Sequence, residues 1–280
     1  MDWGRAKTIL IAAFLILDLL LIWELAERRS VLEEGFMTAA EELEQRMRQA
    51  GVEQATDVPA DIPEGWVLTV ELLPIQPPEN VEGTLTPSQR QPNQWTVHLR
   101  HPYPLVKNSS RAAEPLPELP PDLVYQARQY MPDPWLSSEQ RWRYVQTVRG
   151  VPLFHVGLEL ELENGYVRRY HQSWAVVRKR EPAPPLISAA TAVYSLLDKQ
   201  YLSAETILQD VRFGYYGRIY DADEQVLNPV WRVVYDERGP GGRQRHVLFV
   251  NAITGSLELE EQKAAMQTQT SQRPPSERSE

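Results

Sequence analysis

Residues 151–177 read VPLFHVGLELELENGYVRRYHQSWAVV, and this stretch decides the fold of the region around it. Apolar and polar residues alternate on both sides of Asn164 and Gly165, a dipeptide that strongly favours a two-residue hairpin turn. The alternation predicts an antiparallel pair of strands with one apolar face and one charged face.

Upstream of this stretch, the sequence predicts two more strands. Trp66–Leu73 and Trp95–Arg100 have strand-like composition, and the polar, proline-rich loop 74–94 between them suggests a meander. A helical stretch is expected to start near Leu123 and to be broken by the prolines that follow. Residues 137–149 are ambiguous between helix and strand, although their last residues favour a strand.

Downstream, a proline-rich break at 182–185 is followed by a predicted helix at 188–200, with Ser188 as its N-cap. Val230–Tyr235 and His246–Asn251 are expected to pair across a glycine-rich turn. A second turn should lead into a third strand at 256–260.

These elements predict an α+β protein. An N-terminal transmembrane helix and a juxtamembrane helix should precede two helix-plus-antiparallel-sheet domains. The expected divisions are a cytoplasmic tail at 1–7, the transmembrane helix at 8–26, the juxtamembrane helix at 27–50, domains at 51–181 and 186–262, and a disordered tail at 263–280.

The composition limits the classes of function. The formal net charge of -9 makes attraction to nucleic acid phosphates unfavourable, so no nucleic-acid partner is expected. The chain has no cysteine, which excludes disulfides, thiolate metal sites, a cysteine nucleophile and a lipid-bearing cysteine. Any membrane attachment must therefore come from the polypeptide itself.

The N-terminal residues predict a membrane anchor. The run from Thr8 to Trp23 is apolar apart from Asp18, and Trp3 and Trp23 would lie ~30 Å apart on a helix, about one hydrocarbon thickness. A cleaved signal peptide is the alternative, but no small-residue cleavage site follows. Basic residues flank both ends equally, and the short N-terminal tail favours a cytoplasmic N-terminus. We therefore expect a single-pass cell-membrane protein with its C-terminal domains outside the cell.

The helix is expected to continue beyond the membrane as far as residue 50. Its apolar residues recur every three or four positions, at Leu32, Phe36, Ala39, Leu43 and Met47. This stripe could dock on the same chain, or it could pair with a partner helix as a short coiled coil.

Asp18 is the candidate partner-binding residue of the membrane segment. An ionisable group at the bilayer centre costs roughly 2.5 to 3.5 kcal/mol on insertion scales, so its presence calls for compensation. Asp18 could face a polar group on a partner helix, within a contact face formed by Phe14, Leu15, Leu21 and Ile22. Alternatively, its carboxyl group is neutral and is tolerated by the long apolar run.

Two charged groups in the exported part have both a functional and an ordinary explanation. Glu159, Glu161 and Glu163 alternate on one strand face and could bind a cation or act as paired carboxylates. Leucines fill the opposite face, which is typical of a sheet with one solvated side. The basic residues at 168–169 and 178–180 could touch an anionic wall polymer or lipid headgroups, or could protect a strand edge from pairing.

No enzymatic or cofactor-binding motif occurs in the sequence. The histidines lie singly on strands, and a spacing of three puts His98 and His101 on opposite faces, so no metal site is predicted. We expect a protein that is not an enzyme and needs no cofactor.

The opening residues 1–22, MDWGRAKTILIAAFLILDLLLI, resemble the start of YycI proteins. The segments FGYYGRIY (213–220), LNPVWRVVY (227–235) and FVNAITGSLE (249–258) resemble the C-terminal region of that family. The strand, Asn-Ala-x-Thr-Gly turn and strand are similar to PepSY modules. One departure is Asp18, where related segments often carry a neutral Asn.

The resemblance implies a YycH-related accessory regulator of the YycFG (WalRK) two-component system that controls the cell wall. It implies contact with a YycG-like sensor histidine kinase, a YycH-like partner protein and the lipid bilayer. In that family the transmembrane helices carry much of the contact that restrains the kinase. The alternative from another class is a membrane-anchored exported cell-wall enzyme or a PepSY-like inhibitor of an exported peptidase.

Overall fold

The computed structural model describes residues 41–88, 93–105, 118–218, 222, 224–239 and 242–258. Of these residues, 53% lie in strands and 13% in helices. The strands are β1 (Glu53–Gln54), β2 (Trp66–Leu73), β3 (Gly83–Pro87), β4 (Trp95–Pro104), β5 (Tyr130–Pro132), β6 (Arg141–Val148), β7 (Val151–Glu163), β8 (Tyr166–Gln172), β9 (Trp174–Pro182), β10 (Thr206–Tyr216), β11 (Glu224–Gly239) and β12 (Gly242–Asn251). Residues 41–50 are helical and are called α1, and Ala189–Asp198 form α2.

The stretch 151–177 forms the predicted hairpin. β7 and β8 pair antiparallel on either side of Asn164 and Gly165, whose φ angles are 54° and 81°. Positive φ at both central residues defines the turn type that matches strand twist, and Asn-Gly adopts it at little cost. Leu158 and Leu160 are buried on one face of β7, while Glu159 and Glu161, which alternate with them, lie on the other face.

The described strands form one 12-stranded mixed sheet with the main order β3-β4-β8-β7-β10-β11-β2-β9. β6 pairs with the other side of β7 and also with β5, β1 runs parallel to β10, and β12 pairs with β11. The parallel contact between β7 and β10 is the pair Leu153 and Tyr215. β11 joins two parts of the sheet, because Glu224–Leu227 pair with β2 while its later residues pair with β10 and β12.

The predicted α+β fold with two helix-plus-antiparallel-sheet domains is wrong. The described residues between 51 and 188 contain no α-helix, and the helix expected from Leu123 is a series of turns with one 3-10 turn at Ala127–Gln129. The halves do not have separate sheets, since β10 and β11 pair with β7 and β2. Alternation identifies a strand but does not say which strand lies beside it. The residue boundaries given to the two halves stay a prediction.

The two strands upstream of the hairpin exist, but they do not form the predicted meander. β2 pairs with β9 and β11, whereas β4 pairs with β3 and β8. β3 lies inside the expected loop 74–94, and its short, exposed sequence GTLTP gave no clear strand pattern. The ambiguous region 137–149 contains strand β6, which buries Trp142 and Tyr144.

Two of the C-terminal predictions are confirmed, but the third strand expected at 256–260 is only an isolated bridge between Leu257 and Val250, and residues 259–260 lie outside the described residues. Val230 lies opposite Asn251 and Tyr235 lies opposite His246 in the β11–β12 pair. Ser188 caps α2 by accepting a hydrogen bond from the backbone N–H of Thr191 at 3.1 Å. These contacts are local in sequence, which is why turn and cap residues predict them.

Helix α1 docks on its own chain. Leu43 and Met47 are buried in a core cluster with α2 and with one face of β10, β11 and β12. Docking in cis is thus confirmed for this part of the amphipathic stripe. Leu32, Phe36 and Ala39 lie outside the described residues.

A second core lies under the sheet formed by β3, β4, β8, β7 and β6. Leu123 and Val124, from the turns that precede β5, cover Leu160 and Tyr170 on the inner face of this sheet. The inner face is therefore closed, and the opposite face is left for polar side chains.

Within the described residues, neither helix is both long and apolar enough to span a bilayer. The predicted tail 1–7, transmembrane helix 8–26 and C-terminal tail 263–280 all lie outside the described residues.

Candidate functional site

Polar side chains line the outer face of the sheet formed by β3, β4, β8, β7 and β6. The strand register arranges ten of them in two rows that cross all five strands. One row is Thr86, Thr96, His171, Glu159 and Arg143, and the other is Thr84, His98, Arg169, Glu161 and Arg141. We call this surface the polar face.

A hydrogen-bonded chain runs through the polar face from β4 to β7. The Thr96 hydroxyl shares a hydrogen bond with His171 Nδ1 at 2.8 Å, and His171 Nε2 lies 3.2 Å from a carboxylate oxygen of Glu161. Thr96 and His171 are each only 6% exposed. The imidazole is therefore held in one orientation between a hydroxyl and a carboxylate.

Each glutamate of the predicted acidic group has a basic partner. Arg169 donates a hydrogen bond to Glu161, and Arg143 Nε lies 3.3 Å from Glu159. Glu163 pairs with Arg168 at 2.8 Å. The alternating carboxylates are thus part of a charge-balanced sheet face.

Glu161 has the most strongly determined charge state in this group. Burial alone would raise the pKa of its carboxyl, but hydrogen bonds from Arg169 and His171, together with their charges, outweigh burial and lower the pKa. Glu161 is therefore ionised at neutral pH, and it fixes both basic neighbours.

The polar face contains one geometric candidate for a cation site. Glu159, Glu161 and His171 each place a ligand atom within 4.8 Å of the others. Arg143 and Arg169 already neutralise the two carboxylates, and two guanidinium groups at this distance repel an incoming cation. The donor set therefore fits a metal ion poorly.

The order hydroxyl, imidazole, carboxylate is that of acyl-transfer enzymes, but the surroundings do not support that chemistry. A nucleophile must be reachable, and Thr96 is almost fully buried. An oxyanion hole needs N–H donors that point at the substrate, whereas backbone N–H groups in a sheet point along the sheet to neighbouring strands. The chain from Thr96 to Glu161 therefore holds three strands together.

The polar face ends at a shallow cleft. β4 leaves β8 between His98 and Tyr103, and the opening is lined by His98, Leu99, Glu161, Leu162, Glu163, Arg168 and Arg169. Its arginines are committed to glutamates of β7, so the cleft has no uncompensated charge with which to select a ligand.

A buried ionic cluster connects β11 to the first half of the chain. Arg232 is 1% exposed and donates hydrogen bonds to Asp133 at 2.6 Å and to Asp210 at 3.1 Å. Its guanidinium also lies 4.7 Å from the centre of the Phe154 ring. Asp133 directly precedes the 3-10 turn Pro134–Leu136, so this turn is bound to the face of the C-terminal strands.

Sequence reasoning missed both the ionic cluster and the link between Thr96 and His171. Arg232 interrupts an otherwise apolar run, VWRVVY, and a charge in a strand buried on both faces implies a buried partner. The sequence therefore indicated that Arg232 has a buried partner, but it did not identify Asp133 or Asp210 as that partner. His171 lies singly in the sequence, and only the register of β4 with β8 places Thr96 beside it.

Two residues of the basic stretch 178–180 and one more of the single histidines have partners. Arg178 pairs with Glu71, and Lys179 with Glu181. His155 shares a hydrogen bond with the Gly217 carbonyl at 2.6 Å. β9 lies at one end of the main strand order, so its charges flank a sheet edge.

The predicted partner-binding residues of the membrane segment lie outside the described residues. They are Asp18, Phe14, Leu15, Leu21 and Ile22. Their contact with a partner helix stays a prediction.

The described residues define a mostly β protein built on one mixed sheet, with a network of hydrogen bonds and ion pairs on its polar face. The chain belongs to the YycI family, whose model, described as YycI protein, matches residues 36–253. Members of this family are regulators of the YycFG two-component system. The resemblance seen in the sequence is thereby confirmed, and the match spans both halves of the body.

No curated protein matches the chain. A solved structure of an uncharacterized protein from Eubacterium rectale is similar over 75% of this chain and 89% of its own, with 8% identity and a TM-score of 0.39. A TM-score this low does not establish a shared fold.

Proposed function

We propose that this protein is a membrane-anchored accessory regulator that restrains the sensor histidine kinase of the YycFG system, together with a YycH-like partner. The observation that carries the proposal is the family match over residues 36–253, which covers nearly all of the described body. In this proposal the N-terminus is cytoplasmic, residues 8–26 cross the cell membrane, and the body lies outside the cell.

The proposed contact with the kinase runs through the membrane helix. Asp18 would bind a polar group on a kinase helix, with Phe14, Leu15, Leu21 and Ile22 packing around it. Restraint requires that the helix binds one kinase state better than the other, and a coupling of ~1 to 3 kcal/mol is typical. One polar contact inside a bilayer, added to a contact of the body, is enough to supply it.

The fold supports firm attachment of residues 41–55 to the rest of the body. Leu43 and Met47 of α1 are buried against α2, and β1 directly after α1 pairs with β10. Ala55 N–H also donates to the Leu208 carbonyl at 2.9 Å. In this proposal, a displacement of the anchor that is passed on to residue 41 would move the body, because residues 41–55 are bonded to and packed against it.

The test is a reconstitution of the full-length protein with the sensor kinase in lipid vesicles, scored for autophosphorylation of the kinase. We expect the protein to lower the rate, and we expect Asp18→Leu to insert normally but to co-purify less kinase and to restrain it less. Leu20→Ala is the matched control, because on a helix residue 20 points about 200° away from Asp18.

Equal recovery and equal restraint with Asp18→Leu would remove Asp18 from the proposed contact. No recovery of kinase, either with the full-length protein or with a form lacking residues 1–26, would favour the exported enzyme or peptidase inhibitor instead.

A further inference from the structure

β12 is an edge strand whose outer side is occupied along only part of its length. β11 covers one side of it completely. On the other side the chain turns back, and the N–H of Glu258 donates to the Phe249 carbonyl while the N–H of Asn251 donates to the Ser256 carbonyl, both at 2.8 Å. The C-terminal end of this edge, Phe249–Asn251, is therefore already paired with an antiparallel segment of the same chain.

The N-terminal half of the same edge, Gly242–Leu248, has outward-facing backbone groups, and we call it the free half. Alternate residues of an antiparallel strand direct their N–H and C=O to the same side. Since Phe249 and Asn251 bond outward and the pairing with β11 has no register shift, Arg243, Arg245 and Val247 also direct their backbone groups outward. Among the described residues, none of these three has a backbone partner on that side.

This free half is basic, although the whole chain has a net charge of -9. No acidic residue occurs between 242 and 248, and Arg243 is exposed. The residue directly opposite Arg243 on β11 is Arg238, so the neighbouring strand offers Arg243 no carboxylate there. Arg238 itself donates a hydrogen bond to Glu53. Within the described part of the chain, Arg243 has no ion pair, so it is available to an incoming carboxylate.

The other sheet edges are protected. β3 is five residues long and ends at Pro87. On β9, the Gln146 side chain bonds both the N–H and the C=O of Ala175 and so takes the place of a neighbouring strand. Proline, short length, side-chain caps and charged side chains are the usual devices that prevent strand addition. The free half of β12 has only the last of these, Arg243 and Arg245, and a strand that carries carboxylates would neutralise an unpaired arginine there.

We propose that the free half of β12, Gly242–Leu248, binds an extended acidic segment of a partner protein by antiparallel strand addition. The partner's backbone would bond Arg243, Arg245 and Val247, and its carboxylates would pair with Arg243. A second copy of this chain is a poor occupant, because two β12 strands would bring their arginines together. The proposal goes beyond the kinase contact and requires neither the kinase nor Asp18.

The test uses the full-length protein in detergent and two fluorescent ten-residue peptides, one alternating Thr with Glu and one alternating Thr with Lys. Fluorescence anisotropy should show binding of the Glu peptide and not of the Lys peptide. Arg243→Glu should weaken binding at least about tenfold, since it replaces a charge-assisted pair with a repulsion.

Arg243→Pro separates strand addition from simple charge attraction. It removes one outward N–H at a position where an edge strand tolerates proline, so it should also weaken binding about tenfold. Gln244→Ala is the control, because the backbone of Gln244 bonds toward β11, and it should leave the affinity unchanged. Thermal unfolding of each variant confirms that the body is folded.

Three outcomes would overturn the proposal. Equal binding of both peptides would show that the edge does not select acidic segments. Unchanged affinity in both Arg243 variants would place the peptide elsewhere. Tighter peptide binding after Glu260→Gln together with Glu261→Gln would show that the chain's own C-terminal residues are the occupant.

Discussion

Arg232 shows what one charged residue requires at the centre of a sheet. Its removal from water costs several kcal/mol, and this cost is offset only when carboxylates accept its hydrogen bonds in good geometry. Asp133 and Asp210 supply these carboxylates from segments 99 and 22 positions away in sequence. The cluster therefore stabilises one specific placement of the 3-10 turn Pro134–Leu136 on β11.

We predict that Asp133→Ala lowers the free energy of unfolding by about 3 kcal/mol, because it leaves a buried guanidinium with a single carboxylate. Denaturant unfolding of the full-length protein in detergent measures this change. Asp61→Ala, at an exposed position, is the control and should cost less than about 0.5 kcal/mol. A loss below about 1 kcal/mol in Asp133→Ala would mean that Asp210 alone compensates Arg232.

Glu161 makes a pH-dependent contribution to stability. Burial opposes its charge, but Arg169 and His171 lower its folded-state pKa below the ordinary value of 4.5. A lowered folded pKa gives stability that is fully present above the unfolded pKa and is lost as the pH falls through the folded pKa. The window for this loss therefore lies below pH 4.5.

We expect Glu161→Gln to lower the free energy of unfolding by about 1 kcal/mol at pH 7, and we expect this difference to shrink as the pH falls to about 3. Unfolding curves of both proteins across this range measure it. Glu163→Gln, whose partner Arg168 is exposed, is the control and should change less. A difference that stays constant down to pH 3 would contradict the charge-based explanation.

At the scale of elements, the described part of α1, residues 41–50, depends on tertiary contacts. Most helical stability in proteins comes from tertiary packing of an amphipathic face, so burial of one face supplies most of the stability here. Leu43 and Met47 provide that face, and their spacing of four puts them on the same side of the helix.

We predict that Met47→Ala lowers the free energy of unfolding by about 2 to 4 kcal/mol, because Met47 is 3% exposed and its loss leaves a cavity between α1 and α2. Arg48→Ala changes the next, exposed residue and should have an effect near zero. Equal small effects in both variants, measured by denaturant unfolding, would show that α1 does not contribute to this core.

At the scale of the whole molecule, the sheet is continuous across the proline-rich break at 182–185. β11 pairs with β2 at one end and with β10 and β12 at the other, and Arg232 adds a buried link to Asp133. Elements that share a strand and a buried ion pair cannot separate without exposing both.

We therefore expect the body to unfold in one cooperative transition. Leu160→Ala in the first half and Leu196→Ala in the second should each destabilise that same transition by about 2 to 5 kcal/mol, because both leucines are buried. Tryptophan fluorescence and far-ultraviolet circular dichroism should give coincident curves. Two separate transitions, each shifted by one substitution, would instead support independent units at 51–181 and 186–262.

The sequence by itself determined the local elements of this protein. The Asn164–Gly165 hairpin, the capped helix α2, the β11–β12 pair and the outward glutamates of β7 all follow from patterns within one or two neighbouring elements. The tertiary structure alone decided that β4 pairs with β8, that β2 pairs with β9, and that one sheet unites both halves. It alone placed Thr96 beside His171 and Asp133 beside Arg232. Such contacts join residues 75 and 99 positions apart, and their formation depends on strand register and burial across the whole chain, which no local pattern encodes.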